Sequence, residues 1–212
     1  MSSAELHQVL EEWNDSAVAY PEDATVHSLF ERQASLSPDA VAVAFDQEEV
    51  TYSDLLVQTS GLATKLQGMG VGADSIVGLC VEKSLDEIIG IVGIVRAGGA
   101  YVPLDPKLPQ ERLQYLVTQC ECRVVVAQET CRSIADALGD VTVVGALDGG
   151  KSSSLRCDPR CGPETLAYVL FTSGSTGEPK GIIHSDVKGV DFIKSLININ
   201  CVAISLAYCK YV

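Results

Sequence analysis

Basic residues are scarce in this chain: 15 lysines and arginines stand against 28 aspartates and glutamates, so the formal net charge is −13. Nucleic acids and anionic membranes are bound through clustered lysine and arginine, and the sequence contains no such cluster. The acidic residues concentrate between Glu5 and Asp54, where a solvated acidic face explains them best. The composition therefore predicts neither a nucleic-acid nor a membrane partner.

Long apolar runs are also missing. No segment reaches the ~20 apolar residues that span a bilayer, and the first five residues, Met-Ser-Ser-Ala-Glu, lack the basic-then-apolar pattern of a secretory signal. The 212 residues are 47% hydrophobic, with a mean hydropathy of +0.21. That is enough apolar material for a buried core in one or at most two domains, and we expect a soluble, cytoplasmic protein.

The eight cysteines show no regular spacing and do not indicate a disulfide scaffold. Cys120 and Cys122 are one residue apart, and Cys157 and Cys161 are separated by three. Structural zinc usually needs paired knuckles of two to four intervening residues or added histidines, and the three histidines are scattered. We therefore expect reduced thiols and predict no protein-bound metal.

A Walker phosphate motif is absent as well, because Lys180 is preceded by Pro179 and followed by Gly181. Instead, an apolar run at 166–171 stops abruptly in a segment rich in glycine and hydroxyl groups. Glycines let the backbone approach a ligand, and successive N–H groups in such a turn form an anion-binding nest. We interpret the segment as a nucleotide phosphate loop. The alternative, a flexible Ser/Gly surface turn, is weakened by the apolar runs on both sides.

Each residue type in this loop has a role in holding a polyphosphate. The hydroxyl groups are donors and metal-facing oxygens, and Lys180 supplies a point charge, which makes it the candidate catalytic residue. The candidate nucleotide-binding residues are Thr172, Ser173, Gly174, Ser175, Thr176, Gly177 and Lys180.

Apolar periodicity predicts alternating helices and strands along the chain. Helices are predicted at 6–13, from 26 to near Ser37, from 53 to Gly68, and at 84–97, 109–119 and 129–138, and strands at 41–45, 49–52, 76–81, 123–127, 141–144 and 166–171. Ser53 and Ser84 are predicted to cap the third and fourth helices. The alternation implies right-handed βαβ units, hence an α/β fold with helices on both sides of a mostly parallel sheet.

Four stretches together resemble the amino-acid-activating adenylation domains of nonribosomal peptide synthetases, which are adenylate-forming enzymes. The prelude of such domains is similar to residues 13–33, and their first, second and third core motifs resemble 50–56, 96–106 and 166–181. Tyr-Val-Pro-Leu-Asp-Pro at 101–106 is typical of peptide synthetases rather than acyl-CoA ligases. Phe171 stands where the family usually has tyrosine, which removes a hydroxyl and keeps the ring.

This resemblance implies both a fold and a reaction. The fold would be the first, incomplete part of the family's large N-terminal domain. The loop would hold the phosphates of ATP, with Mg²⁺, while a substrate carboxylate attacks the α-phosphate. The implied product is an aminoacyl adenylate, and the implied partners are a carrier domain bearing a phosphopantetheine thiol and a condensation domain.

The same resemblance divides the chain into a linker and prelude at 1–24, the N-terminal part of an AMP-binding domain at 25–183, and a divergent tail at 184–212. The tail indicates a truncated or mis-spliced end, or a divergent strand pair. The family's amino-acid pocket and catalytic lysine domain lie further downstream, so we expect little activity from this chain alone. A non-catalytic nucleotide-binding or structural remnant and an acyl-CoA synthetase-like ligase are the alternatives.

Overall fold

The computed structural model describes residues 2–14, 24–150, 161–172 and 180–186. The α-helices in these ranges are α1 (Ser3–Leu10), α2 (Val26–Leu36), α3 (Tyr52–Gly68), α4 (Leu85–Arg96), α5 (Gln110–Gln119) and α6 (Arg132–Asp136). The strands are β1 (Val41–Phe45), β2 (Glu48–Thr51), β3 (Ile76–Cys80), β4 (Ala100–Pro103), β5 (Val124–Ala127), β6 (Thr142–Gly145), β7 (Leu166–Thr172) and β8 (Lys180–Ser185). Single 3₁₀ turns occupy Glu12–Asn14 and Glu129–Cys131.

The main sheet has six strands in the order β6-β5-β3-β4-β7-β8, and a separate hairpin is formed by β1 and β2. From β6 to β7 each strand runs parallel to its neighbour, whereas β8 is antiparallel to β7. The predicted α/β fold with a mostly parallel sheet is therefore confirmed.

Helices cover both faces of the central strands. In β5, Val124 and Val126 join the core formed with α2, α3 and α4, while Val125 and Ala127 join a second core formed with α5 and α6. Alternate residues of a strand point to opposite faces, so a strand apolar at every position must be covered on both sides. The three-layer arrangement follows directly from that requirement.

Two glycines let α4 pack closely against its neighbours. A Cβ atom on Gly93 would lie 2.6 Å from Cδ2 of Leu62 in α3, and one on Gly90 would lie 2.5 Å from Cδ1 of Leu79 in β3. Real Cβ atoms do not approach other atoms so closely. The helix is therefore held against both α3 and the sheet at these two points.

Some local predictions were wrong. The N-cap of α3 is Thr51, two residues before the predicted Ser53, and its Oγ1 accepts a hydrogen bond from the amide of Asp54 at 3.2 Å. Ser84 does stand at the N-cap of α4, but its hydroxyl donates to the carbonyl of Glu82 instead of accepting from the helix. Sequence patterns assigned no strand to β4 or β8, because β4 follows two glycines and ends in a proline, and β8 has a glycine at its second position.

A buried arginine joins the three helices on one face of the sheet. Arg96, only 4% exposed at the end of α4, donates to Glu31 of α2 at 3.0 Å and to the hydroxyls of Thr59 and Ser60 of α3 at 2.9 and 2.8 Å. Its Nη1 also donates to the carbonyl of Leu56 at 3.1 Å. The guanidinium is thus paired and hydrogen-bonded, as a buried charge must be.

We expect Arg96→Ala to lower the free energy of unfolding by about 3 kcal/mol, because it removes several charge-assisted hydrogen bonds and leaves their acceptors buried. Urea denaturation measures this. The control is Arg32→Ala, which removes the same charge from an exposed position of α2 and is expected to change stability by less than about 0.5 kcal/mol. Equal effects of the two substitutions would contradict a role for the network.

Candidate functional site

The candidate phosphate loop connects the two strands of a hairpin. Thr172 ends β7, Lys180 begins β8, and the two residues pair directly across the ladder. Both are exposed. The segment that joins them, 173–179, lies outside the described residues, so Ser173, Gly174, Ser175, Thr176 and Gly177 remain predictions. The described strands bring the two ends of the candidate loop together as one rung of the sheet.

This rung lies at the carboxyl edge of the parallel strands. After β4 the chain passes through α5 to β5, on the far side of β3, whereas after β7 it turns the other way into β8. The connections therefore diverge between β4 and β7. In open α/β sheets such a switch point, outside the carboxyl ends of the strands, is where ligands bind. The predicted loop stands at the place that the topology favours for a site.

A cleft of about 200 Å³ opens at the same switch point. Its lining residues come from β4, the following loop, α5 and β7: Pro103, Asp105, Leu108, Arg112, Leu116, Leu170 and Phe171. Asp105 and Arg112, both half-buried, place a carboxylate and a guanidinium in this otherwise apolar cleft. Asp105 is not among the predicted site residues, because no strand was predicted at β4 and the sequence therefore did not place Asp105 at the carboxyl end of one.

Aromatic contacts hold β8 against β7. The ring of His184 stacks on Tyr168 with centroids 4.6 Å apart, and Tyr168 lies 5.7 Å from the ring of Tyr101 in β4. A Cβ atom on Gly181 would lie 3.2 Å from Cζ of Phe171. The glycine that follows Lys180 therefore admits the Phe171 ring beside the strand.

The far end of β8 is tied to the start of α2. Asp186 is 3% exposed, and its Oδ1 accepts a hydrogen bond from the amide of Val26 at 3.0 Å. Its own amide donates to the carbonyl of Thr165, just before β7, at 2.9 Å. Burial raises the pKa of Asp186 to about 6, although the hydrogen bond from Val26 acts in the opposite direction.

A second polar pair lies at the same end of α2. Thr25 caps the helix, since its Oγ1 accepts from the amide of Ser28 at 3.2 Å. The Nε2 of buried His27 is 3.1 Å from that same oxygen. Burial lowers the pKa of His27, so the neutral imidazole is favoured here. The start of α2 is thus capped from two directions, locally by Thr25 and over a long range by Asp186.

The cysteine pair 120/122 lies far from the candidate loop. Cys120 and Cys122 are buried in the core beneath α5. The pKa of Cys122 is raised by a hydrogen bond with Cys120 and by burial, which favours the thiol. Cys120 lines a larger cavity, about 510 Å³, at the amino ends of β3 and β5. This larger cavity is therefore at the opposite edge of the sheet from Thr172 and Lys180.

Within the described ranges, no three His, Cys, Asp or Glu side chains converge to hold a metal ion. The helices of the same ranges include none with the length and apolar character of a transmembrane span.

Comparison with known proteins places the fold and the motif in a family. The family model described as "AMP-binding enzyme" matches residues 30–204, a range that continues past residue 183 into the segment that the motifs assign to a divergent tail. Gramicidin S synthase 2 of Brevibacillus brevis is 39% identical over 185 residues, covering 86% of this chain and 4% of its own length. Tyrocidine synthase 3 of Brevibacillus parabrevis is 41% identical over 184 residues, covering 84% of this chain and 3% of its own length.

Solved structures agree. The nonribosomal peptide synthetase FmoA3, in a form bound to alpha-methyl-L-serine-AMP, superposes with a TM-score of 0.79 at 30% identity, covering 90% of this chain and 21% of that one. The N-terminal subdomain of Klebsiella oxytoca NpsA, in complex with 3-hydroxybenzoyl-AMSN, gives a TM-score of 0.68 at 25% identity, covering 81% and 43%.

The chain belongs to the AMP-binding enzyme family. Within that family it is similar to the adenylation domains of nonribosomal peptide synthetases, and it corresponds to the N-terminal part of such a domain. It spans only 4% and 3% of the lengths of these gramicidin and tyrocidine synthases.

The raised pKa of Asp186 predicts how stability depends on pH. The folded carboxyl titrates near 6 and the unfolded one near 3.8, so the folded state binds the proton more tightly. The contribution of Asp186 to the free energy of unfolding is therefore fully present below about pH 4 and is lost as the pH rises through 6. The total loss is about 3 kcal/mol. Relative to wild type, Asp186→Asn should gain stability across that interval, as measured by urea unfolding at a series of pH values.

Asp148→Asn is the control with opposite sign, because the hydrogen bond from the amide of Gly145 lowers the pKa of Asp148. It should lose stability relative to wild type as the pH rises. A difference between wild type and Asp186→Asn that does not change with pH would mean that Asp186 titrates normally.

Proposed function

We propose that this chain contributes the phosphate-binding part of an adenylation domain that activates an amino acid with ATP. The observation that carries the proposal is the Thr172–Lys180 rung at the carboxyl edge of the sheet, which brackets the glycine- and hydroxyl-rich segment 173–179. Membership of the AMP-binding family supports it. The product would be an aminoacyl adenylate, used to load a phosphopantetheine thiol.

In the proposed reaction, a carboxylate oxygen of the amino acid attacks the α-phosphorus of ATP. A new P–O bond forms, the bond from the α-phosphorus to the oxygen bridging to the β-phosphate breaks, and pyrophosphate leaves with that electron pair. The exposed ammonium of Lys180 would stabilise the charge on the phosphates, and the hydroxyl of Thr172 and the amides and hydroxyls of 173–177 would hold them in place.

ATP enters this scheme as its magnesium complex. Mg²⁺ usually keeps several waters and binds substrate phosphates with one or two carboxylates, so it accompanies the nucleotide. No step above depends on a protein ligand for the ion.

The size of the cleft sets how much of the substrate the described residues would hold. Small-molecule sites usually measure about 300–1,000 Å³, and the cleft beside Phe171 measures about 200 Å³. We therefore assign the triphosphate to this region, and the amino acid and much of the nucleoside to residues outside the described ranges.

The partners follow from the proposed product. The relatives are gramicidin and tyrocidine synthases, which supports carrier and condensation domains as neighbours. We propose the cytoplasm as the location, in keeping with the five free cysteines of the described residues. We also propose the boundaries 1–24, 25–183 and 184–212 for the linker and prelude, the adenylation segment and the tail.

Amino-acid-dependent exchange of pyrophosphate into ATP tests the proposal in the full-length protein, with each proteinogenic amino acid supplied singly. Lys180→Ala should lower the exchange rate ten- to a hundred-fold, since one charge-assisted contact to phosphate is worth about 1.5–3 kcal/mol. The melting temperature should not change, because Lys180 is exposed.

Lys107→Ala is the matched control, since Lys107 is an exposed lysine that follows β4 at the same edge of the sheet. It should leave the exchange rate within about twofold of wild type if position, rather than local charge, matters. An unchanged rate in Lys180→Ala would disprove the assignment of that residue. ATP binding without exchange for any amino acid would favour a non-catalytic nucleotide-binding remnant.

A further inference from the structure

Strand β8 carries Lys180 and is held to β7 by the hairpin ladder and by the stack of His184 on Tyr168. Among the described strands it lies at the edge of the main sheet, with β7 as its neighbour. Its adjacent residues Ile182 and Ile183 are 44% and 58% exposed, and since neighbours in a strand point to opposite faces, neither face of β8 is well covered there. Edge strands of this kind are prone to slip in register.

The register of β8 decides where Lys180 points. A slip of one residue moves every side chain of a strand to the other face of the sheet. The β7–β8 ladder already contains an irregularity between Leu166 and Tyr168, so the backbone pairing alone is not uniform along the strand. A contact that fixes the end of β8 therefore adds to the ladder and the aromatic stack in holding Lys180 opposite Thr172.

Asp186 has the contacts of such an anchor. It follows β8 directly, and it is held at both its backbone and its side chain: the amide donates to Thr165 at 2.9 Å, and Oδ1 accepts from Val26 at 3.0 Å. The bond from Val26 joins two residues that are 160 apart in sequence. Val26 begins α2, and α2 packs on the rest of the core. Val26 is itself buried, so the anchor point is fixed.

The anchor is also costly to the fold, which argues that it does more than cap a helix. Burial disfavours the Asp186 carboxylate, whereas Thr25 caps the same helix with a neutral hydroxyl. Thr25 already supplies a local cap for α2. Of the two caps, the contact with Asp186 is the one that connects α2 to β8.

We propose that Asp186 is a positioning residue for Lys180: by capping α2 it fixes the carboxyl end of β8, and so sets the register in which Lys180 faces the phosphates. The positioning role rests on the proposed function, because it requires that Lys180 contacts the triphosphate. The anchoring of β8 by Asp186 does not depend on the proposed function.

Three substitutions in the full-length protein separate the possible roles. Asp186→Ala removes the acceptor, Asp186→Asn keeps an oxygen that can accept from the amide of Val26, and Thr25→Ala removes the other cap of α2 without touching β8. Hydrogen exchange of the peptide 180–185 reports on the anchoring of β8. The KM for MgATP in pyrophosphate exchange reports on Lys180.

We expect Asp186→Ala to speed exchange in 180–185 at least tenfold and to raise the KM for MgATP about tenfold, because small displacements of a contacting group weaken binding strongly. Asp186→Asn should exchange no faster than wild type and keep its KM within about twofold, and Thr25→Ala should stay within about twofold of wild type in both measurements. Rescue by asparagine distinguishes the hydrogen bond from the charge.

Other results overturn the proposal. If Thr25→Ala affects both measurements as much as Asp186→Ala does, Asp186 only stabilises α2. If Asp186→Ala leaves the exchange of 180–185 unchanged, Asp186 does not anchor β8. If it loosens β8 but leaves the KM unchanged while Lys180→Ala raises it, the anchor does not position the lysine.

Failure of the proposed function gives a different result. In that case Lys180→Ala itself leaves the KM for MgATP unchanged. Hydrogen exchange in the three variants then still decides whether Asp186 anchors β8, and a positioning role for Lys180 is overturned together with the phosphate contact.

Discussion

The burial of the central strands on both faces is the constraint on which the rest of this structure depends. Strand β5 places valines alternately in two cores, so helices must lie on each side of the sheet. Parallel strands with helical crossovers satisfy this requirement, and they bring the carboxyl ends of β3, β4, β5 and β7 to one edge. The candidate site lies at that edge because the crossover after β4 and the hairpin connection after β7 lead in opposite directions there, not because any single side chain directs it.

Polar groups inside this architecture serve to join its layers. Arg96 connects α4 to α2 and α3 through a carboxylate and two hydroxyls, and Asp186 connects β8 to α2 through one backbone amide. Both side chains are almost fully buried, and each is satisfied by partners distant in sequence. The helix layer and the hairpin that carries Lys180 are thereby linked through α2.

Much of the fold could be predicted from the sequence because its signals are local. Apolar runs of four to six residues gave the bounds of β3 and β5 within one residue or so, and periodicity identified α4 and α5. The glycine- and lysine-containing motif at 172–181 predicted a loop at the end of a strand, and the β7–β8 hairpin brackets it. Two features could not be predicted, for different reasons. Thr51 rather than Ser53 caps α3, although both carry a hydroxyl close to the start of the helix, and nothing near Asp186 in sequence indicates its contact with the distant Val26.

The contact between Asp186 and Val26 also bears on how the chain is made. Helix α2 is translated before the strands of the main sheet and can form with its local cap, but its second cap is 160 residues away and is synthesised only after the described strands β1 to β8. Strands β3 to β6 can pair before that point, because they follow one another in sequence. Nascent chains that end before Asp186 therefore lack the hydrogen bond that joins the end of β8 to the start of α2.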